Sequence, residues 1–100
     1  MASTVLTNGT IITGSAKLHD CGLYIDAEGN IGDIFNMKRF SQKRFPQGTQ
    51  VINVNGAYIT PGFIDTHLHG IGGYGTEDAD PKSILGMSER LADFGVTGFF

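Results

Sequence analysis

The order strand, helix, strand between Gly62 and Phe100 is the feature that most constrains the fold of this chain. An apolar stretch from Phe63 precedes a segment with helical periodicity, and a second apolar stretch begins at Val96. Strands that alternate with helices in this way pair in parallel, with the helix outside the sheet. One such unit leaves both sheet edges open and encloses no core. We therefore expect the 100 residues to be the N-terminal piece of a longer protein, or to complete their core against other chains.

The predicted helix has recognisable ends. Asp80 is a favoured N-cap residue, and Pro81 suits the first helical position because its missing N–H would have no partner there. Gly95 stands where a helix C-cap glycine belongs. With Glu77 and Asp78, Asp80 forms an acidic run that we interpret as first-turn and capping charges. The apolar residues at helical spacing, which predict one buried face, are Ile84, Met87, Leu91 and Phe94.

Residues 1–57 have the pattern of a small β-rich unit of about five short strands. Asn8-Gly9 lies between two β-branched stretches, and this dipeptide is a strong signal for a two-residue hairpin. A second hairpin is predicted between residues 23–26 and 30–35, where Gly29 can take a left-handed conformation.

The rest of this unit is less regular. Val51–Val54 is predicted as a further strand, closed by Asn55-Gly56. The stretch 37–50 is polar and basic and contains Pro46, so it suits either a short helix or a loop.

Charge and cysteine content exclude several functional classes. The net charge is −3, so neither a nucleic acid nor an acidic membrane is an expected partner. Cys21 stands alone, which excludes a disulfide framework and a thiolate zinc site. The N-terminus lacks a basic region and an apolar run of about 18 residues, so we expect no signal peptide and a cytoplasmic location.

His67 and His69 are the candidate metal ligands. On a strand, their spacing puts both imidazoles on one face, and imidazole pairs suit zinc, iron or another divalent ion. Asp65 shares that face and is a candidate for an outer-shell partner, or for a residue that packs inside a barrel. His-x-His also arises by chance, and catalytic zinc needs a third protein ligand. His19, beside Asp20, is interpreted as a surface histidine.

The glycine-rich stretch from Gly70 to Gly75 matches neither the Rossmann fingerprint nor the P-loop. One interpretation is a flexible connection between strand and helix. The other is a substrate loop in which Gly72 and Gly73 expose backbone amides to a polar ligand. Tyr74 would then pack on a sugar ring, or it is an ordinary loop aromatic.

Pro61 to His69 resembles the motif Pro-Gly-Phe-Ile-Asp-x-His-x-His of the amidohydrolase superfamily. Within that superfamily, the glycines of 70–75 and the stretch Phe94–Phe100 are similar to N-acetylglucosamine-6-phosphate deacetylases. Dihydroorotases and hydantoinases typically continue differently after the histidines. The resemblance covers essentially the whole chain and is specific from about Gly56 onward.

The resemblance implies an α/β fold with a β-rich N-terminal part. Residues 1–57 would belong to a small β-sandwich domain, and residues 58–100 would be the first βαβ unit of a (β/α)8 barrel. It implies deacetylation of N-acetylglucosamine-6-phosphate, with a divalent metal, zinc or iron, that polarises the amide and activates water. His67 and His69 match the family's binuclear-type metal pattern.

The other ligands, the catalytic Asp and the phosphate-binding residues of the family would lie beyond Phe100. The chain itself would then contain no catalytic residue and would be inactive alone, while the whole enzyme would act on an amino-sugar phosphate as a homodimer. The alternatives are an N-acetylgalactosamine-6-phosphate deacetylase, a cyclic-amide hydrolase, or a non-enzymatic β-rich module that assembles through its edges.

Overall fold

The computed structural model describes residues 2–99. Internal contacts divide the chain into two compact units, an N-terminal unit that ends at Pro61 and a C-terminal unit that begins at Gly62. The boundary predicted after residue 57 precedes this division, because Tyr58 and Ile59 still pair with the first strand of the N-terminal unit.

Five strands form one mixed sheet in the N-terminal unit: β1 (Thr4–Ile12), β2 (Lys17–Ile25), β3 (Ile31–Asn36), β4 (Gln50–Asn53) and β5 (Tyr58–Ile59). Their order is β3-β2-β1-β4, and β5 pairs with β1 as well. The pairs β1–β2 and β2–β3 are antiparallel. β4 and β5 run parallel to β1, so β1 is the central strand.

The predicted hairpin at Asn8-Gly9 is wrong, because β1 continues through both residues. Asn8 does take the left-handed conformation, with φ of 59°. It does so in a β-bulge, where the pairing with β2 shifts by one residue. Residues in the left-handed conformation occur in bulges as well as in turns. The chain reverses instead between Thr13 and Ala16, whose backbone N–H donates to the Thr13 hydroxyl at 2.9 Å.

The second predicted hairpin is confirmed. β2 and β3 are antiparallel, and Gly29 has φ of 87° in the turn. The Asp26 carboxylate closes this turn by accepting the backbone N–H groups of Glu28 and Asn30. The undecided stretch 37–50 begins as a 3-10 helix, Met37–Gln42, continues as a loop, and ends at the first residue of β4.

The sheet carries apolar side chains on both faces. Ile11, Cys21 and Leu23 form a buried aliphatic cluster. Tyr24 follows Leu23 and so faces the other side, where its ring lies 5.2 Å from that of Phe45. The aromatic cluster on that side comprises Tyr24, Phe35, Phe40 and Phe45. The side chains of both clusters thus hold the strands together from either face.

The C-terminal unit contains β6 (Phe63–Asp65), β7 (Gly70–Ile71), β8 (Tyr74–Gly75), a 3-10 helix (Thr76–Asp78), α1 (Pro81–Asp93) and β9 (Val96–Phe99). β6 and β9 are parallel and are connected through α1, which confirms the strand–helix–strand unit. β7 and β8 form an antiparallel ribbon. The predicted end of the second strand, Phe100, lies outside the described residues.

The helix ends are confirmed. The Asp80 carboxylate accepts the backbone N–H of Lys82 at 2.9 Å, and Gly95 has φ of 78° after the helix. The predicted apolar face is wrong at both ends, since Ile84 is 40% exposed and Phe94 is 69% exposed. α1 packs on the narrow β7–β8 ribbon and on β9, so a single row of residues suffices to cover the contact. That row is Ser83, Met87 and Leu91.

The density of apolar residues from Phe63 predicts a strand that is buried on both faces, as in a parallel sheet, and this prediction is wrong for the described residues. Phe63 is 72% exposed and Ile64 is 65% exposed, because β6 pairs with β9 alone among residues 2–99. None of the helices that the structure describes combines the length and hydropathy needed to cross a bilayer.

Candidate metal site

His67 and His69 lie just beyond β6, which ends at Asp65, so their predicted position on the strand is wrong. The Asp65 carboxylate accepts the backbone N–H of His67 at 3.0 Å. A short acidic side chain that binds the backbone two residues later turns the chain and competes with strand pairing. Asp65 therefore shapes the main chain that carries His67, and its contact is with the backbone.

The two imidazoles nevertheless converge. The Nε2 atoms of His67 and His69 are 3.1 Å apart, and the ring planes are inclined at 79°. Zinc binds imidazole nitrogen at about 2.0–2.1 Å. The 3.1 Å between the two Nε2 atoms is shorter than the combined length of two such bonds. One ion can therefore contact both nitrogens, so the pair fits a divalent metal.

The pair alone does not complete a metal site. Within residues 2–99, no group of three or more His, Cys, Asp or Glu side chains is arranged to hold a metal ion. Catalytic zinc sites use three protein ligands. Within the described residues, His67 and His69 can therefore supply two ligands of such a site, and no third is in place. The third histidine, His19, is exposed on β2, in the N-terminal unit.

Glu77 lies beside His69, a position that the sequence does not indicate. Its carboxylate oxygen Oε1 lies 3.9 Å from Nδ1 of His69, whereas the other two residues of the acidic run have the structural roles that we predicted. Asp80 caps α1, and Asp78 accepts from the Gly75 backbone and the Ser83 hydroxyl. No local spacing rule relates positions 69 and 77, because only the β7–β8 ribbon brings them together.

That ribbon is set by its turn. Gly72 and Gly73 have φ of 61° and 85°, which is the conformation of a two-residue hairpin turn with two left-handed positions. Gly70 then faces Gly75 across the ribbon. The predicted connection is thus a tight hairpin, and its function as a substrate loop stays a prediction.

Tyr74 packs against α1. A Cβ atom added to Gly86 would lie 2.6 Å from atoms of the Tyr74 ring, so the helix approaches the ring closely only because residue 86 is glycine. The ring keeps 39% of its surface exposed. Its contact with the helix explains its position without a ligand, and its stacking on a sugar stays a prediction.

Comparisons with known proteins show which folds this chain resembles. No protein-family model matches the chain. N-acetylglucosamine-6-phosphate deacetylase from Pasteurella multocida is 28% identical, with a TM-score of 0.82 over 98% of this chain and 24% of that one. The chain has the fold of the N-terminal part of an amidohydrolase. This amidohydrolase-like chain thus spans about a quarter of the length of the deacetylase.

Two further relatives match less of the amidohydrolase-like chain. D-hydantoinase (dihydropyrimidinase) from a Thermus species is 35% identical, with a TM-score of 0.52 over 71% of this chain and 14% of that one. The protein LONG AFTER FAR-RED 3 from Arabidopsis thaliana is 33% identical over 76 residues, which are 73% of this chain and 12% of that protein. The deacetylase therefore agrees over more of the fold, and the hydantoinase agrees more closely in sequence over a shorter part.

Proposed function

We propose that this chain supplies the first metal ligands of a metal-dependent deacetylase that converts N-acetylglucosamine-6-phosphate to glucosamine-6-phosphate and acetate. The observation that carries the proposal is the convergence of His67 and His69 directly after β6, with their Nε2 atoms 3.1 Å apart. The choice of substrate rests on the likeness to the deacetylase, which extends over 98% of the chain.

In the proposed reaction, His67 and His69 would hold a divalent ion through their imidazole nitrogens. The bound metal would polarise the substrate amide and lower the pKa of a water molecule. Asp65 keeps the backbone of His67 in place through its 3.0 Å hydrogen bond. The remaining ligands and the acid/base group would come from outside residues 2–99, so the chain alone would be inactive.

A cyclic-amide hydrolase is the second candidate, because the hydantoinase is the more similar in sequence where it aligns. An assay of the full-length protein on N-acetylglucosamine-6-phosphate, N-acetylgalactosamine-6-phosphate and a hydantoin separates the possibilities. We expect turnover of N-acetylglucosamine-6-phosphate above that of the other two. Turnover of the hydantoin alone would overturn the proposed substrate and leave the metal assignment standing.

The metal assignment has its own test in the double variant His67→Asn, His69→Asn of the full-length protein. Loss of two ligands should weaken metal binding by more than about 10-fold, because changes to groups behind the ligands already cost about 10–100-fold. Metal content by mass spectrometry and turnover should fall together. His19→Asn is the matched control, since it removes an exposed histidine of the N-terminal unit. Unchanged metal content in the double variant would show that the ligands are elsewhere.

A further inference from the structure

We propose that Glu77 is a positioning residue, which fixes the tautomer and orientation of His69 and so presents Nε2 of that ring to a divalent cation. This inference rests on the proposed function. Nε2 of His69 points toward Nε2 of His67, at 3.1 Å, and Nδ1 of the same ring points toward Oε1 of Glu77, at 3.9 Å. The two nitrogens of His69 therefore face two different partners.

The arrangement excludes Glu77 as a ligand of the same ion. A cation held by Nε2 of His69 would be on the far edge of the ring from Nδ1, whereas the Glu77 carboxylate is beside Nδ1. A carboxylate beside the free nitrogen of a ligating imidazole accepts its N–H, sets the tautomer and makes the other nitrogen a better donor to a metal. The position of Glu77 corresponds to that function.

The backbone around Glu77 is fixed by hydrogen bonds on both sides. The carbonyl oxygen of His69 accepts the backbone N–H of Thr76 at 2.8 Å and its hydroxyl at 3.3 Å. The carboxylate of Asp78 accepts the hydroxyl of Ser83 at 2.8 Å, which attaches the 3-10 helix to α1. Glu77, between Thr76 and Asp78, is thereby held beside His69 although its side chain is 84% exposed.

The 3.9 Å separation is longer than a hydrogen bond, whose N–H···O distance is about 2.7–3.2 Å. An exposed glutamate can cover the difference by rotating its side chain, so the hydrogen bond can form in the metal-free chain. Because the two Nε2 atoms are within hydrogen-bond distance, one of them donates a proton and the other accepts it in the metal-free chain. If Nδ1 of His69 carries the proton, its Nε2 is the acceptor and Nε2–H of His67 is the donor.

The test uses the full-length protein, free of metal and labelled with 15N-histidine, at about pH 8.5, which is above the ordinary pKa of a histidine side chain. Nitrogen chemical shifts report which ring nitrogen carries the proton. We expect His69 to carry it on Nδ1 in the wild type. In Glu77→Ala this preference should fall to that of the exposed His19 ring in the same spectra. Glu77→Gln keeps a carbonyl acceptor of the same reach and should retain the wild-type tautomer.

Cobalt titration of the same samples provides the second measurement. Glu77→Ala should weaken Co2+ binding by about 10-fold, and Glu77→Gln should bind more tightly than Glu77→Ala. Glu89→Ala removes a carboxylate from the exposed side of α1 and is the matched control, expected within about two-fold of wild type because it touches no ligand. An unchanged His69 tautomer in Glu77→Ala overturns the inference. A Glu77→Gln variant that binds Co2+ no more tightly than Glu77→Ala also overturns it.

A failure of the proposed function gives a different result. If the wild type binds no cobalt, the metal assignment of His67 and His69 is wrong. The tautomer of His69 in the metal-free chain still decides whether Glu77 controls the ring. The two conclusions therefore stand or fall on separate measurements.

Discussion

The two units of the chain are stabilised by different sets of interactions. In the N-terminal unit, β1 has partners on both sides, and Val5, Ile11 and Phe35 are at most 5% exposed. In the C-terminal unit, β6 has one partner among the described residues, and Phe63 is 72% exposed. Several long-range strand pairs and two side-chain clusters define the first unit, whereas the second has one long-range strand pair, one buried row on α1, and turns and caps that act within a few residues.

The chemistry lies in the second unit. The main-chain path through His67 is set by Asp65, two residues away, and the backbone of His69 is bound to Thr76 across a tight turn. Local hydrogen bonds of this kind can position a site before a surrounding core is complete, since each satisfies backbone groups that would otherwise need water. The comparison predicts that the first unit depends on its core and the second on individual polar contacts.

The largest effect is expected from Leu23→Ala. Leu23 is 8% exposed in the aliphatic cluster, and truncating such a residue costs about 2–5 kcal/mol in the free energy of unfolding. Leu85→Ala is the same substitution at an α1 residue that is 65% exposed. It should change the free energy of unfolding by less than about 0.5 kcal/mol. Urea denaturation of both variants measures the difference. Equal losses would contradict the burial of Leu23 in a closed core of the N-terminal unit.

A smaller, local effect is expected from Asp80→Ala. The N-cap bond to Lys82 is 2.9 Å long, and loss of such a cap costs about 1 kcal/mol. Amide hydrogen exchange should accelerate roughly five-fold in α1, following that free energy, while amides of β1 to β3 stay unchanged. Asp93→Ala, at the other end of α1, removes a carboxylate that the helix dipole disfavours and should not accelerate exchange. Equal acceleration in β1 to β3 would mean that the two units open together.

The same contrast explains what the sequence could predict. Asp80, Pro81 and Gly95 act within one helix, so its ends followed from local rules. Asn8-Gly9 looks locally like a hairpin, but pairing with β2 on one side and with β4 and β5 on the other keeps β1 extended. Sequence rules that consider only neighbouring residues do not include those partners.

The candidate site, like the fold, could be predicted only where residues close in sequence decide the geometry. The pairing of His67 with His69 follows from a two-residue spacing, although the hydrogen bond from the His67 backbone to Asp65 ends the strand before them. Glu77 is eight positions from His69 and comes near it only through the β7–β8 ribbon. Finding it requires the register of a hairpin whose strands have two residues each, too few to be recognised by periodicity.

The smallest effect concerns the single thiol of the N-terminal unit. Cys21 is 7% exposed, and burial, followed by the charge of Asp20, raises its pKa above the ordinary value. The folded chain therefore keeps the thiol proton at a pH where the unfolded chain has lost it. This contribution to stability is fully present below the thiol pKa of the unfolded chain, about 8.5, and is lost as the pH rises through the higher folded value.

Two measurements check this. Alkylation by iodoacetamide at about pH 8.5 should be slower in the folded chain than in urea, because the thiolate is the nucleophile and the folded chain contains less of it. The free energy of unfolding of the wild type should also fall relative to Cys21→Ala as the pH rises above about 8.5. Alkylation as fast as in urea would mean that water reaches the aliphatic cluster. The N-terminal unit would then lack the closed core that distinguishes it from the C-terminal unit, where His67 and His69 are exposed and available to a ligand.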